Sequence, residues 1–170
     1  MSPTPLIPAA AVAERIAALG AELLPRLVGR DVTFLVLMDG AFLFAADLVR
    51  HLPLPGLRLA FRKASSYRGT SSTGTVTLDD LPDFTGRLVV VVDDIIDSGL
   101  TLSAAVAAAR VAGASTVLTC ILLDKPSRRV PGGLPAADLT GFTIPDRFVV
   151  GFGLDLDGAW RHLPDVCTLD

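Results

Sequence analysis

Leu88-Val-Val-Val-Val-Asp-Asp-Ile-Ile-Asp-Ser-Gly-Leu-Thr-Leu102 is the stretch whose reading decides the fold. Leu88 followed by four β-branched valines predicts a strand buried on both faces, as in the middle of a parallel sheet. The run then changes to Asp93, Asp94, Asp97, Ser98, Gly99 and Thr101, and an alanine-rich helical segment follows from Leu102 to about Ala112. In an open α/β sheet, ligands occupy the crevice beyond the carboxyl end of a central strand. There Ser98, Gly99, Leu100 and Thr101 would form a turn at a helix N-terminus, whose N–H groups and hydroxyls suit a phosphate. The three carboxylates repel phosphate and suit Mg²⁺, sugar hydroxyls or a proton, which implies a ligand carrying both phosphate and ribose. Asp93-Asp94 alone would also fit a helix cap, a receiver domain or a metal-dependent phosphohydrolase. The full order is the specific signal: strand, Asp-Asp, two apolar residues, Asp, Ser-Gly-x-Thr, helix.

Outward from this stretch the pattern repeats. Val32–Met38 predicts a second buried strand that runs into Asp39-Gly40 and then a helix from Ala41 to about His51, another strand-to-helix corner at the carboxyl edge. Thr116–Leu123 predicts a third buried strand, ending in Asp124-Lys125-Pro126, where a lysine is either a solvated end residue or a ligand contact. Ala10–Leu27 carries apolar residues at helical spacing, with Gly20 and Pro25 expected to weaken its second half. Leu57–Phe61 alternates as a one-sided strand, and Thr75–Leu78 as its hairpin partner. Ser65–Gly74 between them is small and polar around Tyr67 and Arg68, which suits a mobile lid better than a linker inside one domain. Arg128 and Arg129 read as solvated loop. Strands alternating with helices predict an α/β fold, a mainly parallel sheet flanked by helices. Segments 54–80 and 139–170 break the alternation and are expected to build a small antiparallel lobe over the crevice.

The chain has 170 residues, 51% hydrophobic and 19% charged, with net charge −3, enough for a sizeable core in a single domain, 1–170. Mild acidity argues against a nucleic-acid surface. No apolar run approaches the roughly 20 residues that span a bilayer, so no membrane partner is expected. Met1-Ser-Pro-Thr-Pro5 does not read as a signal peptide. Cys120 and Cys167 lack metal-ligand spacing and read as buried free thiols, consistent with a reducing cytoplasm.

The central motif resembles the phosphoribosyl-pyrophosphate signature of the type I phosphoribosyltransferases, and Asp-Ile-Ile-Asp-Ser-Gly is most similar to the hypoxanthine-guanine branch. The resemblance runs from about Phe34 to Cys167. It implies transfer of phosphoribosyl from phosphoribosyl pyrophosphate to a 6-oxopurine, with Mg²⁺, and a hood lobe built from the N-terminal region and about 139–170. It implies that Asp93 and Asp94 hold ribose hydroxyls and a nearby metal, and that Ser98, Gly99, Leu100 and Thr101 hold the 5′-phosphate. Asp97 corresponds to the proposed general base at purine N7, and Ser66-Tyr67 to the catalytic lid pair. Lys125, in Asp-Lys-Pro-Ser-Arg-Arg, resembles the lysine that recognises the purine 6-oxygen. Phe148 resembles the aromatic stacked on the base, with the backbone of Val149 on its pyrimidine edge. Asp155 resembles the second-metal aspartate and Arg161 the arginine on pyrophosphate. A homodimer or homotetramer is also implied, with Phe42–Val49 as a candidate interface helix.

One position departs from the family. Its loop after the second strand usually carries a basic residue before glycine and a non-proline cis peptide. Here Met38-Asp39-Gly40 places an acid there. If the family's basic side chain holds pyrophosphate directly, an acid here repels it and the enzyme should be weak or inactive. If instead backbone N–H groups hold it, the favoured account, the Asp39 side chain can point away and the change is tolerable. Two rivals to a 6-oxopurine enzyme remain in sequence: a phosphoribosyltransferase preferring xanthine or another base, and a non-catalytic sensor of phosphoribosyl pyrophosphate. The sensor would call for a DNA-binding domain or a basic face, for neither of which these 170 residues are expected to leave room.

Overall fold

The computed structural model describes residues 2–66 and 76–169, with Ser65 and Ser66 described as backbone only. In chain order the elements are β1 (Pro3–Ile7), α1 (Ala9–Leu27), β2 (Val32–Met38), α2 (Phe42–Arg50), β3 (Arg58–Ser66) and β4 (Val76–Leu78). There follow β5 (Leu88–Ile96), α3 (Leu100–Val111), β6 (Thr116–Asp124), β7 (Leu139–Thr143), β8 (Val149–Val150) and β9 (Val166–Leu169).

Six strands form the main sheet in the order β4-β3-β2-β5-β6-β7. All its pairings are parallel except β4, which runs antiparallel to β3. Alternation along β2 and β5 explains their unbroken apolar character. Phe34, Val36, Val90 and Val92 enter the core under α1 and α2, while Leu35, Leu37, Val89 and Val91 enter the core under α3. Successive side chains of a strand point to opposite faces, so a strand covered on both sides has no polar position to spare.

The second sheet, β1-β9-β8, is antiparallel and forms the hood. It is smaller than the sequence suggests. Leu139–Thr143 joins the main sheet parallel to β6, and Arg58–Ser66 joins it parallel to β2, so segment 54–80 adds nothing to the hood. A strand as short as β7, at the sheet margin, carries too little pattern to reveal which neighbour it will pair with. Thr77 pairs with Ser65 in the β3–β4 hairpin, as its alternation suggests.

Helix α1 runs unbroken through Gly20 and Pro25. A side chain at Gly20 would collide with His51, so the missing Cβ lets α1 approach the end of α2. Arg15 of α1 donates from Nε to Gly141 O at 3.0 Å and from Nη2 to Thr140 O at 2.7 Å, tying the helix to the edge strand β7. Both cysteines are free and buried, and burial pushes the Cys120 thiol up to about 12, which keeps it unreactive. No helix of the described residues is long and apolar enough to cross a membrane.

Candidate active site

Strand β5 does not stop at Val92. It continues through Ile96, where Ile95 pairs with Leu123 and Ile96 with Asp124, so Asp93 and Asp94 sit on the strand itself. Two cavities open at this end, of about 260 and 270 Å³, and share Asp94, Ile95 and Asp97 as a common wall. Asp93, Ser98, Gly99 and Thr101 line the first, and Lys125, Phe148, Val149 and Asp155 the second.

The first cavity has the features of an anion site. Gly99 adopts φ +81° just before α3, a conformation that strains any residue with a Cβ, and a side chain there would also strike Leu134 O. The strand-to-helix turn is backed by residues 130–134: Val130 N donates to Ser98 O at 3.2 Å and Leu134 N to Gly99 O at 3.0 Å. Gly133 lies so close to Ser98 that a Cβ on it would overlap the Ser98 carbonyl. With its carbonyls held from behind, the turn leaves the positive end of a 12-residue helix at the cavity.

Asp93 and Asp94 are neighbours in a dry place. Burial, then repulsion from Asp94, pushes the Asp93 carboxyl well above the usual carboxylate range. Burial likewise raises Asp94, against the hydrogen bond from Ile95 N at 2.8 Å and the charge of Arg161. Two such groups are poised for a cation or for hydroxyl donors, either of which relieves the repulsion. Among the described residues no cluster of three or more His, Cys, Asp or Glu side chains could hold a metal alone. One or two carboxylates completed by water and substrate oxygens is the habitual set for Mg²⁺, and these residues fit it.

Gly40 packs against Asp94, and a Cβ there would overlap the Asp94 carboxylate. The preceding Met38–Asp39 peptide is cis. Asp39 carries its carboxylate toward Lys63 of β3, Oδ2 to Nζ 3.6 Å, while Met38 rather than Asp39 lines the first cavity.

The second cavity is built where β6 and the hood meet. Lys125 follows β6 and is only 7% exposed, and Lys125 N donates to Ile96 O at 3.0 Å. Among the described residues its ammonium has no carboxylate partner at ion-pair distance. Phe148 is 51% exposed, presenting a bare ring at the mouth. Asp155 and Arg161 pair at 2.9 Å, Gly158 N donates to Asp155 Oδ2 at 2.7 Å, and Arg161 Nη1 donates to Gly153 O at 2.6 Å.

Sequence reading missed the two arginines after Lys125. Neither is simply solvated. Arg129 is largely buried; its Nη1 donates to the carbonyls of Asp97 (2.6 Å), Ile96 (3.1 Å) and Lys125 (3.1 Å), and its Nη2 pairs with Asp124. It thus bolts the end of β5 to the end of β6. Arg128 Nε donates to Asp97 Oδ1 at 3.0 Å. Pro126 starts the 3-10 turn that aims both, and that proline was the available signal. The lid pair is not placed: Tyr67 and the side chain of Ser66 lie outside the described residues.

Residues 8–157 match the profile of the phosphoribosyl transferase domain family. The hypoxanthine phosphoribosyltransferase of Salmonella typhimurium is 42% identical over 169 residues, 95% of this chain and 92% of that protein. The hypoxanthine-guanine phosphoribosyltransferase of Mycobacterium avium is 39% identical over 174 residues, 97% of this chain and 84% of that protein. A crystal structure of a Bacillus anthracis hypoxanthine-guanine phosphoribosyltransferase superimposes with a TM-score of 0.90 at 36% identity, covering 98% of both chains. With the acidic pair on β5 and the glycine turn before α3, these likenesses show that the chain belongs to the phosphoribosyltransferase family, in the hypoxanthine and hypoxanthine-guanine branch.

Proposed function

We propose that the protein is a purine salvage enzyme that transfers the phosphoribosyl group of phosphoribosyl pyrophosphate to N9 of hypoxanthine or guanine, giving IMP or GMP and pyrophosphate. One observation carries this reading: Asp97 stands on the wall between an anion-binding cavity and a cavity holding a buried lysine and an exposed aromatic ring. A bisubstrate enzyme needs that adjacency, because the sugar carbon and the base must meet in line.

Ser98, Gly99, Leu100 and Thr101 hold the 5′-phosphate, Asp93 and Asp94 the ribose hydroxyls, and the backbone at Gly40 one face of the pyrophosphate. Lys125 donates to the purine 6-oxygen, Phe148 stacks on the ring, and the Val149 backbone meets the pyrimidine edge. The N9 lone pair forms the new bond to C1′ as the C1′–O bond breaks. Pyrophosphate leaves with the electron pair, Arg161 offsets part of its charge, and the N7 proton passes to Asp97. Asp93 and Asp94 would hold one Mg²⁺ and Asp155 a second, each completed by water and substrate oxygens, and these ions would further neutralise the leaving group. Ser66 and Tyr67 belong to a lid that excludes water, which would otherwise hydrolyse the activated sugar.

Turnover of hypoxanthine with phosphoribosyl pyrophosphate and Mg²⁺, followed as IMP formation, tests the reading. Asp97→Asn keeps the shape of the side chain and removes its basicity, so turnover should fall about a hundredfold with binding of phosphoribosyl pyrophosphate unchanged. Turnover near that of the wild type would remove Asp97 from the proton path. Asp39→Lys should change kcat/KM by less than about tenfold, or ~1.4 kcal/mol, since Asp39 faces Lys63. A large gain in pyrophosphate affinity in that variant would refute the backbone account of this loop.

The protein acts in the cytoplasm as a homodimer or homotetramer. Phe42, Leu59 and Phe61 are 36%, 42% and 45% exposed, and Ala60 between the last two packs under α3, so Leu59 and Phe61 both turn to the α2 side. A patch of this kind suits a second copy of the chain. Phe61→Asp should halve the mass seen by light scattering, and an unchanged mass would exclude this face.

A further inference from the structure

We propose that Arg128 is a positioning residue: it pins one oxygen of Asp97 so that the other faces the purine, and it ties that carboxylate to the hood strap carrying Phe148. The proposal rests on the function assigned above to Asp97. Its basis is a three-point arrangement of Asp97, Arg128 and Asp146, of which only Asp97 lines the cavities. The 3-10 turn after Lys125 closes with Arg128 N donating to Lys125 O at 3.0 Å, which fixes where the side chain starts. From there Nε reaches Asp97 Oδ1 at 3.0 Å, while Nη1 lies 3.7 Å from Asp146 Oδ2 on the other bank of the base cavity. Asp146 is two residues before Phe148, and Arg147 N donates to Pro145 O at 2.8 Å, so the strap between them is a tight turn.

Geometry indicates why an arginine stands there. Asp97 is 44% exposed and lies just past the end of β5, where a carboxylate is free to swing. A single contact through Nε holds Oδ1 and leaves Oδ2 unoccupied by Arg128. The guanidinium is a planar fork, so its remaining donors can reach across to Asp146 without letting go of Asp97. Lysine has one donor centre and cannot hold two carboxylates on opposite banks as well. In the open protein both pairs are solvated and contribute little to stability. Once a purine fills the cavity and expels water, the same contacts act in a lower dielectric and strengthen. The effect of Arg128 therefore belongs to the loaded enzyme rather than to the fold.

Arg128→Met and Arg128→Lys, each made in the wild type and in Asp97→Asn, test this with hypoxanthine as the base. Arg128→Met should lower kcat about tenfold and raise the KM for hypoxanthine, leaving the KM for phosphoribosyl pyrophosphate within twofold and the thermal midpoint within about two degrees. Arg128→Lys should recover most of kcat, through its pair with Asp97, but not the KM for hypoxanthine. In the Asp97→Asn background, Arg128→Met should lower kcat by less than a further twofold, because the group it positions is gone. The proposal is overturned if Arg128→Met stays within twofold of the wild type in kcat, if its full loss persists in Asp97→Asn, or if Arg128→Lys is as slow as Arg128→Met. Wild-type protein that does not turn over hypoxanthine would instead overturn the functional reading, and this proposal with it.

Discussion

Adenine should be used at least a thousandfold less efficiently than hypoxanthine, measured as kcat/KM with saturating phosphoribosyl pyrophosphate. Lys125 is the reason. The residue is 7% exposed, and its ammonium, without a carboxylate partner among the described residues, can only donate. Hypoxanthine and guanine place a carbonyl oxygen against it. Adenine places an amino group there, leaving the cation desolvated and unmatched. At the next position of the ring edge, hypoxanthine N1–H donates to backbone at Val149, whereas adenine N1 is an acceptor and finds none of its own. Each mismatch costs about 1–3 kcal/mol, more where a charge is stranded, and together about 4 kcal/mol is a thousandfold. Adenine within tenfold of hypoxanthine would mean that Lys125 does not read the 6-position. Xanthine shares the 6-oxygen, so the same assay run with xanthine reports what its 2-oxygen meets and leaves the adenine test unchanged.

Asp93→Asn should stabilise the ligand-free protein and nearly abolish its activity. The aspartate pair is held in place at the expense of desolvation first and, for Asp93, of repulsion from Asp94 second. Because the Asp93 carboxyl is raised well above its usual range, the folded protein binds more protons than the unfolded chain between about pH 4 and that raised value. Stability therefore falls as pH rises through this window and stays lowered above it. Asparagine keeps an oxygen for the hydrogen bond from Asp94 N, 3.0 Å in the wild type, and removes the charge. The thermal midpoint at neutral pH should therefore rise, by roughly 2–4 °C for each kcal/mol gained in a chain of this size. On the proposed function, turnover should drop about a thousandfold, because the Mg²⁺ that Asp93 would hold loses an anionic ligand. Calorimetry across this pH range in parallel with the assay checks both halves. A variant that melts lower than the wild type at neutral pH would show that the pair is not repulsive.

Much of this was legible because a single chemical contrast marks it. Val89–Val92 against Asp93-Asp94 and Ser98–Thr101 marks a buried strand, a crevice and an anion turn within one short stretch, and each structural level agrees with the others. The aromatic and lysine of the second cavity were visible only through the family resemblance, since Phe148 and Lys125 lie far apart along the chain and no local pattern joins them. Arg128 and Arg129 were misread for a physical reason. An arginine in a Pro/Gly-rich loop has the same local signature whether it faces water or clamps three carbonyls, and burial of its guanidinium is decided by strands distant in sequence. The hood was misdrawn for the same kind of reason. A five-residue strand such as β7 cannot announce its partner, and its place beside β6 is held by Asp138 of the preceding loop, which accepts from Thr119 N and Oγ1, both at 2.8 Å.

The hood strand β1 lies beside β9, and Thr168 Oγ1 reaches Thr4 O across 164 positions of chain. That pairing makes the molecule a closed ring of chain, and it sets an order of assembly. Loop-closure entropy delays the contact until everything between is already compact. On the ribosome the anion turn can form once β5, α3, β6 and the residues 130–134 that back it have emerged, while the base cavity must wait for the final strand of the hood. A nascent chain would thus acquire its sugar-phosphate half first, and phosphoribosyl pyrophosphate could meet a half-built enzyme that has nowhere to put a purine.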